Sequence, residues 1–196
     1  KQFDLRSDNF SFFDQFDDIN TLIISAGVGY LSRFEDLSEE KIIEMMQVNS
    51  IAPIRIIKHF YNKILSQKTF YTAVIGSISG FMSSPWYAVY GASKASLKIF
   101  IESINVELKK SGSPNVLLNV SPGSIVGTSF NGAKTDLSLV LPLANEIVRE
   151  LYSGNDLFIP QYQEIFKEVL ARYHEDFRAE GSRSYDYKER SGRVKR

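Results

Sequence analysis

The chain has 196 residues, 43% of them hydrophobic, with 23 basic and 23 acidic side chains and a formal charge of zero. That length and apolar content suit one domain with a full core, and the charge balance argues against a nucleic-acid partner, which wants a basic face. Cysteine is absent and His59 and His174 are the only histidines, which excludes disulfides and thiol chemistry and leaves no metal site of the His/Cys type. No apolar run approaches the roughly 18 residues of a membrane span, so no membrane partner is expected and a cytoplasmic location is the default.

In chain order, residues 2–5 make a weak strand candidate and residues 21–25 (TLIIS) a clear one. A helical pattern follows Ser38 over EEKIIEMMQVNSIAPIRIIKHFYNKIL. Glu39 and Glu40 suit its N-terminus, and Pro53 predicts a bend or the start of a second helix. Residues 71–76 (YTAVIG) form the next strand, and 87–110 the cleanest helix, ended by Gly112 and Pro114. A strand at 115–120 (NVLLNV), a helix at 145–152, a short strand at 157–159 (LFI) and a helix at 161–177 complete the pattern. Residues 178–196 are polar and rich in Gly, Ser and Arg, and read as a wrapped arm or a loose tail.

The first three clear strands lack polar/apolar alternation, which marks strands covered on both faces. Alternating with helices, they predict an α/β fold with a doubly wound parallel sheet. In such sheets the ligand crevice lies beyond the carboxyl ends of the strands. Here those ends read Ser25-Ala26-Gly27, Gly76-Ser77 and Ser121-Pro122-Gly123.

Tyr90 and Lys94 are four residues apart on the cleanest helix, so both face one way. Ser77 lies just past a strand end, thirteen residues before Tyr90. The three can meet at the sheet's carboxyl edge. A free tyrosine, with a pKa of about 10, is a poor acid–base at neutral pH. An ammonium beside it favours the phenolate, and a serine hydroxyl can hold a substrate oxygen while charge develops there. The spacing alone fits two exposed helix residues equally well.

The surrounding letters go further. Residues 75–95 read IGSISGFMSSPWYAVYGASKA, which closely resembles the catalytic segment of the short-chain dehydrogenase/reductase family: a serine in a G-S-x-x-G turn, then Y-x-x-x-K with small residues between. LIISAG at 22–27 is similar to the family's L-V-N-N-A-G, with Ile24 and Ser25 in place of the paired asparagines. MQVNSIAP at 46–53 resembles the segment that carries a fourth catalytic position, here Asn49. NVSPGSIVGT at 119–128 resembles P-G-x-I-x-T with the threonine one residue late, and FDLRSD at 3–8 resembles the strand-end aspartate, here Asp4. The motifs occur in the family's order from Asp4 to Thr128.

The resemblance implies a Rossmann-like domain over 1–160, with 161–196 a C-terminal helix and polar tail packed on it. It implies an oxidoreductase that uses NAD or NADP to interconvert a carbonyl and a secondary alcohol. Tyr90 would be the proton donor or acceptor. Lys94 would lower its pKa and bind the nicotinamide ribose, and Ser77 would position the carbonyl. Asn49 would hold a water through its backbone carbonyl at a helix kink. Asp4 would border the adenine, Ala26 and Gly27 the adenosine, and Pro122, Gly123 and Ile125 the nicotinamide. Thr128 would reach the carboxamide or pyrophosphate. A homodimer through the helices at 49–65 and 87–110 follows from the same resemblance.

Nothing like the family's glycine-rich T-G-x-x-x-G-x-G turn precedes Phe3, nor does the strand whose end selects NAD or NADP. The chain reads as entering at the third strand, with a natural N-terminal segment expected outside this sequence. Strand 2–5 would then lack a neighbour, and strand 21–25 would form a sheet edge with an uncovered apolar face. A non-catalytic binding or scaffolding protein is the alternative, favoured by the missing phosphate turn. A sugar epimerase or dehydratase is disfavoured by the P-G-S-I segment. A small, fairly apolar carbonyl or alcohol substrate is expected from Phe130, Leu137, Leu139, Val140 and Leu141 after Thr128, with Phe81, Met82, Trp86 and Tyr87 on the opposite side.

Overall fold

The computed structural model describes residues 1–131 and 134–191. Strand β1 (Thr21–Ile24) is followed by helix α1 (Glu39–Met46), one turn of π-helix (Gln47–Ile51) and helix α2 (Ala52–Leu65). Then come β2 (Tyr71–Ile75), α3 (Ala88–Lys110), β3 (Leu117–Val120), α4 (Leu137–Tyr152) and β4 (Leu157–Phe158). The strands pair in parallel in the order β1-β2-β3-β4, with Thr21 opposite Tyr71, Thr72 opposite Leu117 and Asn119 opposite Leu157. The expected parallel α/β sheet is therefore present.

The apolar runs follow from covering both faces of the sheet. Ile24, Val74 and Leu117 pack among Ile56, Phe60, Leu97 and Leu108 of α2 and α3. Ala73, Leu118 and Val120 pack instead with Leu151 and Ile147 of α4. Successive side chains of a strand point to opposite faces, so Leu117 and Leu118 serve different cores. Among the described residues β1 pairs with β2 alone, and its Ile23 is 47% exposed, as expected of an edge. No helix of the described residues is long and apolar enough to cross a membrane.

Four expectations need correction. Residues 2–5 are not a strand. No described strand lies beside them, so ladder hydrogen bonds have no partner. Instead Ser7 N–H closes a turn on the Asp4 carbonyl at 3.0 Å, and Phe3 joins Phe10, Phe12 and Phe13 in an aromatic cluster that reaches Phe60 of α2. Helix α4 begins eight residues earlier than 145. The Asp136 carboxylate caps it by accepting Ser138 N–H at 3.0 Å, and Pro142 lies inside it rather than before it. Within the loop that precedes α4, Gly132 and Ala133 lie outside the described residues.

The expected helix at 161–177 is divided into a π-helical turn (Tyr162–Phe166) and α5 (Lys167–Glu175). Finally, the expected tail is largely a helix, α6 (Phe177–Arg190). The Asp176 carboxylate accepts the N–H groups of Arg178 and Ala179 at 2.9 and 3.1 Å, a strong helix start. Glu180 binds Arg172 through two bonds of 2.8 and 3.1 Å and Arg183 at 3.0 Å. Ion pairs, a cap and local packing hold α6, not an apolar stripe, so its composition hid it.

Candidate active site

Ser77 follows the end of β2, where the chain passes over β3. Gly76 N–H donates to the Val120 carbonyl at 2.7 Å. Ser77 then caps a short 3₁₀ turn (Ile78–Gly80), its Oγ accepting Ser79 N–H at 3.2 Å. That turn lies flat on α3 because Gly80 has no side chain. A Cβ there would stand 2.8 Å from the backbone carbonyl of Lys94, a distance real contacts do not tolerate. The G-S-x-x-G spacing thus brings Ser77 to the face of α3 that carries Tyr90 and Lys94.

All three side chains are buried there, with Ser77, Tyr90 and Lys94 at 8%, 9% and 4% exposure. Ser77 is hydrogen-bonded to the Tyr90 phenol. The Lys94 ammonium donates to the Ile75 carbonyl at 2.8 Å and lies 5.9 Å from the centre of the Tyr90 ring. Burial pushes the Tyr90 phenol above the usual tyrosine range; the Ser77 hydrogen bond opposes it, and the Tyr87 phenol adds to it. Burial also pushes Lys94 down to about 8. The resemblance implied a phenol lowered by Lys94. In this structure desolvation outweighs the Ser77 hydrogen bond, so the Tyr90 phenol holds its proton at neutral pH.

Asn49 sits in the π-helical turn, completely buried. Its Oδ1 accepts Val28 N–H at 2.9 Å, and its Nδ2 donates to the Val28 carbonyl at 2.8 Å and to Ser93 Oγ at 3.0 Å. The irregular helix expected near Pro53 is this turn, and its side chain ties the loop after β1 to α3. Ser93 in turn donates to the Tyr90 carbonyl at 2.7 Å. Asn49→Leu strands the Val28 groups and is expected to lower stability by about 3 kcal/mol, the cost of several lost buried hydrogen bonds. Urea unfolding of the two proteins measures it.

Ala26 and Gly27 lie at the exposed end of β1. A Cβ on Gly27 would stand 3.4 Å from both Asn49 Oδ1 and Lys94 Nζ, so this glycine borders the same group. Pro122 and Gly123 lie just past the end of β3, the Pro122 carbonyl accepting Ile78 N–H at 3.0 Å. Two other expected residues use their polar groups locally. The Thr128 hydroxyl donates to the Ile125 carbonyl at 3.1 Å. The Asp4 carboxylate is engaged by Arg6 at 3.0 and 2.9 Å, which holds it below the usual carboxylate range.

Two site neighbours escaped sequence reasoning. Ser93 was visible only as one of the small residues between Tyr90 and Lys94. Phe166 packs on Gly123, its ring 2.6 Å from where a Cβ would stand, and no local signal places it. The Phe130 ring, expected with its apolar neighbours after Thr128 on the substrate side, lies 5.4 Å from Tyr90 and 6.4 Å from Tyr87. Of the four residues expected opposite them, Tyr87 alone contacts Tyr90, at 5.5 Å. Phe81 and Met82 pack with Ile78, Ile159, Leu170 and Phe166, and Trp86 packs on Tyr185.

A sequence model of the family described as short chain dehydrogenase matches residues 11–137. The chain is 26% identical over 153 residues to bovine (Bos taurus) retinol dehydrogenase 8, covering 78% of the chain and 48% of that protein. It is 30% identical over 155 residues to the uncharacterized oxidoreductase TDA5 of Saccharomyces cerevisiae, covering 74% of the chain and 48% of that protein. The chain thus spans about half the length of these relatives. Among solved structures, a short chain dehydrogenase from Burkholderia cenocepacia in complex with NADP superposes with a TM-score of 0.68 at 24% identity, covering 87% of this chain and 70% of that one.

Proposed function

The chain belongs to the short-chain dehydrogenase family, and from that premise we propose that it carries the acid–base centre of an NAD(P)-dependent oxidoreductase acting on a carbonyl or secondary alcohol. The observation that carries the reading is the group itself. A buried tyrosine is hydrogen-bonded to a serine, and a buried lysine lies one helical turn on, at the carboxyl end of the central strands.

The residues fit a nicotinamide ribose. An ammonium has three donors, and Lys94 gives one to Ile75, which leaves two for ribose hydroxyls beside Gly27. The bound cofactor supplies or accepts the hydride at the carbonyl carbon. In reduction, Tyr90 donates its proton to the carbonyl oxygen. Ser77, whose Oγ already accepts from Ser79, has its own hydrogen to give that oxygen. The Lys94 ammonium stabilises the phenolate left behind. Oxidation runs the same steps backwards. Pro122, Gly123 and Ile125 would border the nicotinamide. Tyr87 and Phe130 beside Tyr90 favour an apolar substrate. The exposed Ile99 and Val106 on α3 support a homodimer through α2 and α3.

The test is reduction of a panel of apolar ketones and aldehydes by NADH and NADPH, followed by nicotinamide absorbance and run on the full natural chain. Carbonyl-dependent oxidation of either nucleotide is expected. Failure to bind or turn over both would remove the assignment.

A further inference from the structure

The turn between Ser77 and Tyr90 is held by the far end of the chain. Trp86 in that turn has φ of 67°, a left-handed conformation that is costly for a bulky residue and persists only where its surroundings impose it. Its indole is buried, and among the described residues the ring N–H has no hydrogen-bond partner. Packing therefore holds the ring. Tyr185 of α6 lies 5.0 Å from it, and the Arg33 guanidinium 5.3 Å. The Trp86 carbonyl accepts Ser32 N–H at 2.9 Å.

Helix α6 grips the preceding residues as well. Lys188 Nζ donates to Ser84 Oγ at 2.9 Å and to the Pro85 carbonyl at 2.8 Å. A Cβ at Gly181 would stand 3.2 Å from Ser83 Oγ. A glycine inside a helix is unfavourable, and close approach to the turn accounts for this one. The grip passes directly to the reaction centre. Tyr87 N–H closes the turn on the Ser84 carbonyl at 2.9 Å, the Tyr87 carbonyl accepts Gly91 N–H at 2.7 Å, and its ring packs on Tyr90.

We propose that α6 is a clamp for the acid–base tyrosine, in which Lys188, with Tyr185, fixes residues 83–87 so that Tyr87 stays packed on Tyr90 and water is kept from the phenol. Lys188 acts through the turn and is a positioning residue. Its catalytic consequence rests on the oxidoreductase reading above; the clamp itself does not.

Trp86 is the only tryptophan in the chain, so its emission reports the turn directly. Tyr90 ionisation is isolated as the difference in phenolate absorbance between each protein and its Tyr90→Phe partner. The titratable neighbours of Tyr90 that remain in place are Tyr87 and Lys94, and its hydrogen-bond partner Ser77 is unchanged. Lys188→Met is expected to shift Trp86 emission to the red and to let Tyr90 ionise at lower pH, as water reaches it. Loss of the lysine charge alone would move Tyr90 the opposite way, so the sign separates clamp from charge. Lys188→Arg, which keeps charge and donors, should restore both signals. With a working substrate, kcat/KM of Lys188→Met should fall about tenfold, as expected for a slightly misplaced acid.

A Tyr90 titration that is unchanged or moves upward in Lys188→Met overturns the proposal. If that variant does not fold, Ser84→Ala removes one of the same hydrogen bonds from the other side, and an unchanged Tyr90 titration there overturns it equally. A downward shift in a protein that turns over no carbonyl supports the clamp and counts only against the oxidoreductase reading.

Discussion

Tyr90→Phe is expected to lower carbonyl turnover about a thousandfold, within the range of a lost general acid, while the protein folds as before. The ring is buried against Tyr87 and Phe130, and phenylalanine keeps those contacts. What disappears is the hydroxyl on Ser77 and with it the proton for the substrate oxygen. Nucleotide affinity should change little, because Lys94 and Gly27 are untouched. The pH profile expected of the unaltered protein follows from the raised phenol. Reduction needs the protonated form, so its rate should hold through neutral pH and fall only in the alkaline range. Oxidation needs the phenolate, so its rate should climb with pH. Steady-state rates in both directions check this. Turnover in Tyr90→Phe equal to that of the parent would show that another group carries the proton.

Lys94→Met is expected to make the protein more stable at neutral pH and catalytically dead. Burial holds Lys94 at about 8, against 10.5 for a free lysine. Below pH 8 the folded protein must carry an ammonium out of water, which by linkage costs on the order of 3 kcal/mol. Losing the hydrogen bond to Ile75 returns about 1 kcal/mol of that, leaving a net gain of about 2 kcal/mol in the variant. Between 8 and 10.5 the folded form releases its proton before the unfolded form does, so parent stability rises with pH and the variant's advantage shrinks. Tyr90 is common to both proteins and largely cancels in the difference. Melting temperatures across the pH range decide it, and an advantage that stays constant would show that Lys94 titrates as an exposed lysine. Nucleotide affinity should fall about a hundredfold, the worth of two charge-assisted hydrogen bonds.

The two predictions together describe a site kept at a cost in stability. A well-packed apolar residue would suit position 94 better than lysine as far as folding is concerned. The ammonium makes sense where it has ribose hydroxyls to bind and a phenolate to stabilise.

The sequence by itself determined the sheet and brought the candidate group of Ser77, Tyr90 and Lys94 into view. Strands β2 and β3 were legible because a strand covered on both faces must be apolar throughout, and Ser77, Tyr90 and Lys94 because strand end, turn and helix period are local. Only the tertiary structure decided what depends on distant contacts. Residues 2–5 cannot be a strand without a strand beside them. Asn49 meets Val28, 21 residues away, and Lys188 meets Ser84, 104 residues away, and no local pattern announces either. Helix α6 is held by a cap, ion pairs and the turn it grips, so its polar letters read as a tail. The direction of the Tyr90 shift was likewise beyond the sequence. Spacing shows that a lysine lies one turn away, but how much water the fold removes from the phenol decides whether charge or desolvation prevails.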